Sequence, residues 1–152
     1  LKVISENLGN LVKNKIDINS IDLVVSPAMG GVIIGSKVGE ELNKQSIFLE
    51  RVNKNLVLRR GFSIKKNSKV IIVEDVITTG KSALECLSLV KKNKAKVIAF
   101  ACIINRSNND YLNKIPIISQ IKFKIDTFKP NKLPYKLKKI RLSIPGSRNL
   151  SK

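Results

Sequence analysis

Apolar side chains at Ile4, Leu8, Leu11 and Val12 recur at a helical spacing, which predicts a first helix over residues 3–12, with Asn14 and Lys15 leading out of it. The short β-branched run at 21–25 predicts a strand ending at Ser26-Pro27, and the pair Gly30-Gly31 opens a second helical stretch to about Leu42. Residues 46–49 read as the next strand. Asn53, Lys54 and Asn55 form a polar tip, and the alternating residues 56–60 suit one arm of a hairpin. Val70, Ile71, Ile72 and Val73 make the clearest strand; Glu74-Asp75 and a Thr-Thr-Gly turn follow, then a helix over 82–92 and a buried strand over 97–104. Beyond Arg106 the pattern loosens into apolar stretches at 115–121 and 123–128 and a tail bearing Lys and Pro. Strands that alternate with helices at this pace need crossover connections, and crossovers put helices on both faces of a parallel sheet. The expected class is α/β, an open doubly wound parallel sheet with flanking helices. One domain over residues 1–152 is expected, because this length buries one core and not two.

Charge complicates this picture without redirecting it. The chain has 29 Lys and Arg against 11 Asp and Glu, a formal charge of +18, and such an excess invites a nucleic-acid reading. It is uneven, with 12 cations and 8 acids in residues 1–76 but 17 and 3 in residues 77–152. Yet 23 Lys, 15 Asn and 21 Ile make up 59 of the 152 residues, and all three have A/T-rich codons. Five Phe and two Tyr are few for stacking on bases, so a nucleic-acid partner is not expected. Histidine is absent, which removes Ser-His-Asp and Cys-His pairs, His-based zinc sites and imidazole acid–base chemistry. Cys86 and Cys102 lie in apolar surroundings and suit core packing in a reducing cytosol better than a disulfide framework. The longest apolar run, residues 97–104, is far short of the roughly 20 that a membrane helix needs.

Chemistry concentrates in residues 70–82. A buried strand delivers Glu74 and Asp75 to its C-terminal end, where open α/β sheets bind ligands. Thr78, Thr79, Gly80 and Ser82 then supply hydroxyls, a flexible glycine and backbone amides at a helix N-terminus, which suit a phosphate monoester. The carboxylates repel phosphate but accept hydrogen bonds from vicinal hydroxyls, so the combination describes a ribose 5-phosphate. Gly80-Lys81-Ser82 is also similar to the end of a Walker A loop, but that motif needs glycine where the chain has Asp75. A plainer alternative has Glu74 and Asp75 capping the helix beside an ordinary turn. Two adjacent carboxylates directly after a four-residue apolar strand are uncommon as decoration.

Residues 73–82 closely resemble the phosphoribosyl pyrophosphate signature of the type I phosphoribosyltransferases. Ser26-Pro27-Ala28-Met29-Gly30-Gly31, Glu50-Arg51, Leu58-Arg59-Arg60-Gly61-Phe62 and Pro145-Gly146-Ser147-Arg148 resemble in particular the branch that uses orotate. The resemblance implies that Glu74 and Asp75 hold the ribose hydroxyls and that Val76, Ile77, Thr78, Thr79, Gly80, Lys81 and Ser82 wrap the 5-phosphate. Lys81 stands where a small residue is common and either strengthens phosphate attraction or points to solvent. Gly30, where some relatives carry lysine, and Arg51, immediately after the second strand, would take the pyrophosphate. Lys54 lies in a catalytic loop that in this family reaches the neighbouring subunit, its other reading being a solvated loop lysine. Arg106, with Thr78, matches the orotate contacts, and a guanidinium suits a carboxylate; a surface turn arginine is the alternative.

The implied reaction joins orotate to phosphoribosyl pyrophosphate, giving orotidine 5-phosphate and pyrophosphate, with Mg2+ bridging substrate oxygens and no dedicated protein ligands. A cytoplasmic homodimer away from membranes is the implied setting. A regulator on the same fold that binds phosphoribosyl pyrophosphate and nucleic acid, or a transferase for another base, are the alternatives. Family members also open with a hood segment over the base, and residues 1–20 do not resemble it. With Leu1 at the start, an N-terminally truncated chain is expected, with the phosphoribosyl site whole and the orotate site half built.

Overall fold

The computed structural model describes residues 1–53, 55–126, 128 and 130–141. Among these residues seven strands form one sheet in the order β3-β2-β1-β4-β5-β7-β6: β1 is Leu23–Pro27, β2 Gln45–Val52, β3 Asn55–Val57, β4 Lys69–Ile77, β5 Lys96–Asn105, β6 Tyr111–Leu112 and β7 Ile115–Lys122. The five central strands run parallel, with Leu23 opposite Gln45 and Val70, and Ile77 opposite Asn105. The short edge strands β3 and β6 pair antiparallel to their neighbours, which makes the sheet mixed at its margins.

Three long helices cover the sheet: α1 (Lys2–Lys15), α2 (Gly30–Leu42) and α3 (Lys81–Lys92), followed by the single turn α4 (Tyr135–Lys138). Alternation along the strands sorts the core into two layers. On β4, Val70 and Ile72 face α3 and pack with Cys86, Leu87 and Val90. Ile71 and Val73 face the other way and pack with Leu8 and Val12 of α1 and Ile34 and Val38 of α2. Because α2 connects β1 to β2 on one face and α3 connects β4 to β5 on the other, the sheet is doubly wound. Its order reverses between β1 and β4, where such sheets leave a crevice.

Two strands are longer than the apolar runs that announce them. β4 continues through Glu74 and Asp75 to Ile77, because its ladder with β5 persists to Asn105. β2 continues to Val52, so Arg51 lies inside the strand and not after it. Of residues 56–60 only Leu56 and Val57 are in a strand, the three-residue β3, and no strand forms among the described residues of 123–128. Among the described residues no helix is long and apolar enough to cross a membrane.

Candidate active site

A cleft of about 640 Å³ opens at the C-terminal ends of β1 and β4. Its walls come from the β1–α2 connection (Pro27, Ala28, Met29, Gly30, Gly31), the end of β2 (Arg51), the end of β4 (Glu74, Asp75, Val76), the β4–α3 turn (Thr78, Thr79, Gly80) and the start of α3 (Lys81, Ser82, Glu85). A second, smaller cleft lies at the opposite end of the strands, around Asp22, Gln45 and Phe62.

The two carboxylates reach the main cleft from opposite faces of β4. Glu74 is buried on the α3 side, and its charge adds to burial in raising both nearby thiols, Cys86 strongly and Cys102 to about 12. Both cysteines are buried and unpaired with each other, so neither is a nucleophile at neutral pH. Asp75 is exposed on the α2 side, where its Oδ1 accepts the Val76 N–H at 2.8 Å. A Cβ at Gly30 would stand 2.5 Å from Asp75 Oδ2. Glycine there lets the start of α2 close onto the carboxylate.

The β4–α3 turn is shaped by Gly80, whose φ of 72° lies in the left-handed region. A Cβ there would also meet the Leu112 side chain at 2.8 Å, so β6 buttresses the turn. Thr78 and Thr79 are exposed at its lip, and the first-turn amides of α3, without intrahelical partners, favour an anion together with the helix dipole. From β2, Arg51 pairs with Glu85 of α3 across the cleft. One residue before it, Glu50 gathers Arg59, at 3.1 Å, and Arg60. The Arg60 hydrogen bond and both guanidinium charges hold its carboxyl below the ordinary value, against the opposing effect of burial.

The structure thus brings together Gly30, Arg51, Glu74, Asp75, Val76, Thr78, Thr79, Gly80, Lys81 and Ser82. Ile77 does not join them as a side chain, since it is buried in the α3-side core. Arg106 does not line the cleft either. It is exposed one residue beyond β5, its N–H donating to the Ile77 carbonyl at 2.7 Å. Buried Asn105 organises the turn that carries it, accepting the Ser107 N–H at 2.9 Å and donating to the Asn109 carbonyl at 2.7 Å. Lys54 and residues 145–148 lie outside the described residues. Sequence reasoning passed over Glu85, although it follows Lys81 by four residues on one helix and so shares its face.

A hard divalent cation finds oxygen donors in Glu74, Asp75 and the turn hydroxyls, but among the described residues no group of three or more His, Cys, Asp or Glu could hold a metal. The donors fit a cation that arrives with ligand oxygens around it, as Mg2+ does on phosphates.

Residues 1–130 match the family model described as the phosphoribosyl transferase domain. An orotate phosphoribosyltransferase of Maricaulis maris is 36% identical over 129 residues, 85% of this chain and 66% of that protein's length. The fold is similar to the crystal structure of adenine phosphoribosyltransferase from Thermoanaerobacter pseudethanolicus, with a TM-score of 0.66, 18% identity and coverage of 77% of this chain and 79% of that one. It is also similar to adenine phosphoribosyl transferase from Trypanosoma brucei in complex with AMP, pyrophosphate and ribose-5-phosphate, with a TM-score of 0.63, 20% identity and coverage of 78% and 64%. At these identities the two structures speak to the fold alone.

Proposed function

The chain belongs to the phosphoribosyl transferase domain family, and on that premise we propose that it transfers the phosphoribosyl group of phosphoribosyl pyrophosphate to orotate, giving orotidine 5-phosphate and pyrophosphate. The observation that carries the reading is the meeting, in one cleft, of two carboxylates at the end of β4 with a hydroxyl-rich turn at the start of α3. Acids for a sugar diol and amides for its phosphate are demanded together by a ribose 5-phosphate and by few other ligands. Orotate as the acceptor rests on the 36% identity to the Maricaulis relative.

The chemistry follows from charge. As the bond from the anomeric carbon to the pyrophosphate oxygen breaks, the sugar gains oxocarbenium character and the leaving group gains negative charge; the orotate nitrogen then completes the new bond. Glu74 and Asp75 fix the ribose through its hydroxyls, and their carboxylates sit well to stabilise a sugar that turns cationic. The Thr78–Ser82 turn and the α3 amides anchor the 5-phosphate, so the anomeric carbon meets the base in one orientation. Arg51 meets the charge on the departing pyrophosphate, and Lys81 adds a cation beside the 5-phosphate. Mg2+, bound with the substrate, supplies neutralisation of the diphosphate charge. No step needs a protein nucleophile, which accommodates a chain without histidine and with two inert thiols.

Arg106 is assigned to the orotate carboxylate, with Thr78 as the second contact. Lys54 is assigned to a loop that serves a neighbouring subunit, which makes a homodimer the working assembly. Its buried, unpaired thiols suit a cytoplasmic setting. The test is pyrophosphate release from phosphoribosyl pyrophosphate and Mg2+ by the purified protein, with orotate, uracil, adenine or hypoxanthine as acceptor. Release that depends on orotate supports the reading. Release with a different base moves the assignment to that base, and release with none overturns the transfer activity.

A further inference from the structure

Glu85 lines the cleft but has no part in holding a diol or a phosphate. We infer that it is a positioning residue: it holds Arg51 in the cleft as that guanidinium's counter-ion and, by competing with pyrophosphate for it, keeps the leaving group's product loosely bound. The inference rests on the substrate reading above and adds to it the control of product affinity.

Three observations support it. Arg51 projects from β2 and Glu85 from the second turn of α3, and the pair they form bridges two elements that are otherwise separate walls of the cleft. Both side chains remain partly exposed, 39% for Arg51 and 29% for Glu85, and ion pairs so open to solvent contribute little to folding. The described charged residues of the lining are Arg51 and Lys81 against Glu74, Asp75 and Glu85. A cleft for a polyanion therefore holds more negative than positive charge, and Glu85 supplies the excess. Glu74 and Asp75 have ribose hydroxyls to bind; Glu85 has only Arg51 in view among the described partners. A guanidinium offers five donors in a rigid fork. Glu85 engages one terminal nitrogen and so fixes where the group sits.

Two substitutions separate charge from orientation. Glu85→Gln keeps an acceptor for Arg51 and removes the negative charge, whereas Glu85→Ala removes both. Calorimetric titration with inorganic pyrophosphate and Mg2+ is expected to show about three- to tenfold tighter binding by Glu85→Gln than by the unaltered protein. The gain should shrink in about 0.5 M KCl, where charges are screened over a few ångströms, and Glu85→Ala should bind less tightly than Glu85→Gln. In an Arg51→Gln background the Glu85→Gln gain should largely vanish. A purely structural residue would weaken binding when replaced and would show no such coupling. Unchanged or weaker binding by Glu85→Gln, or a gain that survives loss of Arg51, overturns the inference. If the unaltered protein binds neither pyrophosphate nor phosphoribosyl pyrophosphate, the substrate reading fails first and takes this inference with it.

Discussion

Glycine at positions 30 and 80 is required for different physical reasons, and both bear on the cleft. At Gly30 the demand is space, since Asp75 Oδ2 stands 2.5 Å from where a Cβ would be. At Gly80 the demand is both conformation and space, a φ of 72° with Leu112 at 2.8 Å. Gly80→Ala is expected to cost about 1–2 kcal/mol from the left-handed backbone alone, read as a lower midpoint in urea at unchanged slope. An unaltered midpoint would mean that the turn relaxes to another shape at no cost. The acids and the turn that line the cleft were readable from residues 70–82, because an apolar strand, two acids and a hydroxyl-rich turn are contiguous. Glu85 and Leu112 were not, since each matters only through a contact between elements distant in sequence. Ile77 shows the reverse: it sits inside the motif, yet its side chain is buried in the α3-side core.

Strand ends were the least legible elements. The ladder between β4 and β5 carries Glu74 and Asp75 within a strand, although neither residue favours one. On β2 the same effect takes Glu50 and Arg51 into the sheet. At the base of the β2–β3 hairpin Glu50 ties Arg59 and Arg60 together, a cluster that no local pattern discloses because its members lie nine and ten residues apart. The Glu50 carboxyl is held below its ordinary value, first by the Arg60 hydrogen bond. Its contribution is therefore in place above the ordinary carboxylate value and is lost as pH falls through the lowered one. In a carbon-detected NMR titration Glu50 is expected to titrate below the ordinary glutamate value and to move up towards it in Arg60→Gln. A Glu50 signal that titrates alike in both proteins would show that Arg60 does not bear on it.

At the scale of the whole molecule, alternating periodicity was enough to foresee a doubly wound sheet, and such a sheet dictates where a cleft opens. Its order reverses between β1 and β4, and the acids, the turn and the α2 start all converge there. The hairpin arm expected at 56–60 is met by the short antiparallel β3, whereas β6 escaped notice because its two residues are too few to set up a period. The net charge of +18 does not locate the site, whose described lining is slightly acidic. In the proposed function the site is defined by a carboxylate pair that binds a sugar diol, and Asp75 is its exposed member. Calorimetric titration of phosphoribosyl pyrophosphate with Mg2+ into the unaltered protein and into Asp75→Asn tests this most directly. One molecule should bind per chain, and the variant should bind at least about tenfold more weakly, as loss of a charged hydrogen-bond acceptor implies. Equal binding by a folded Asp75→Asn protein, or none by the unaltered one, would contradict the account.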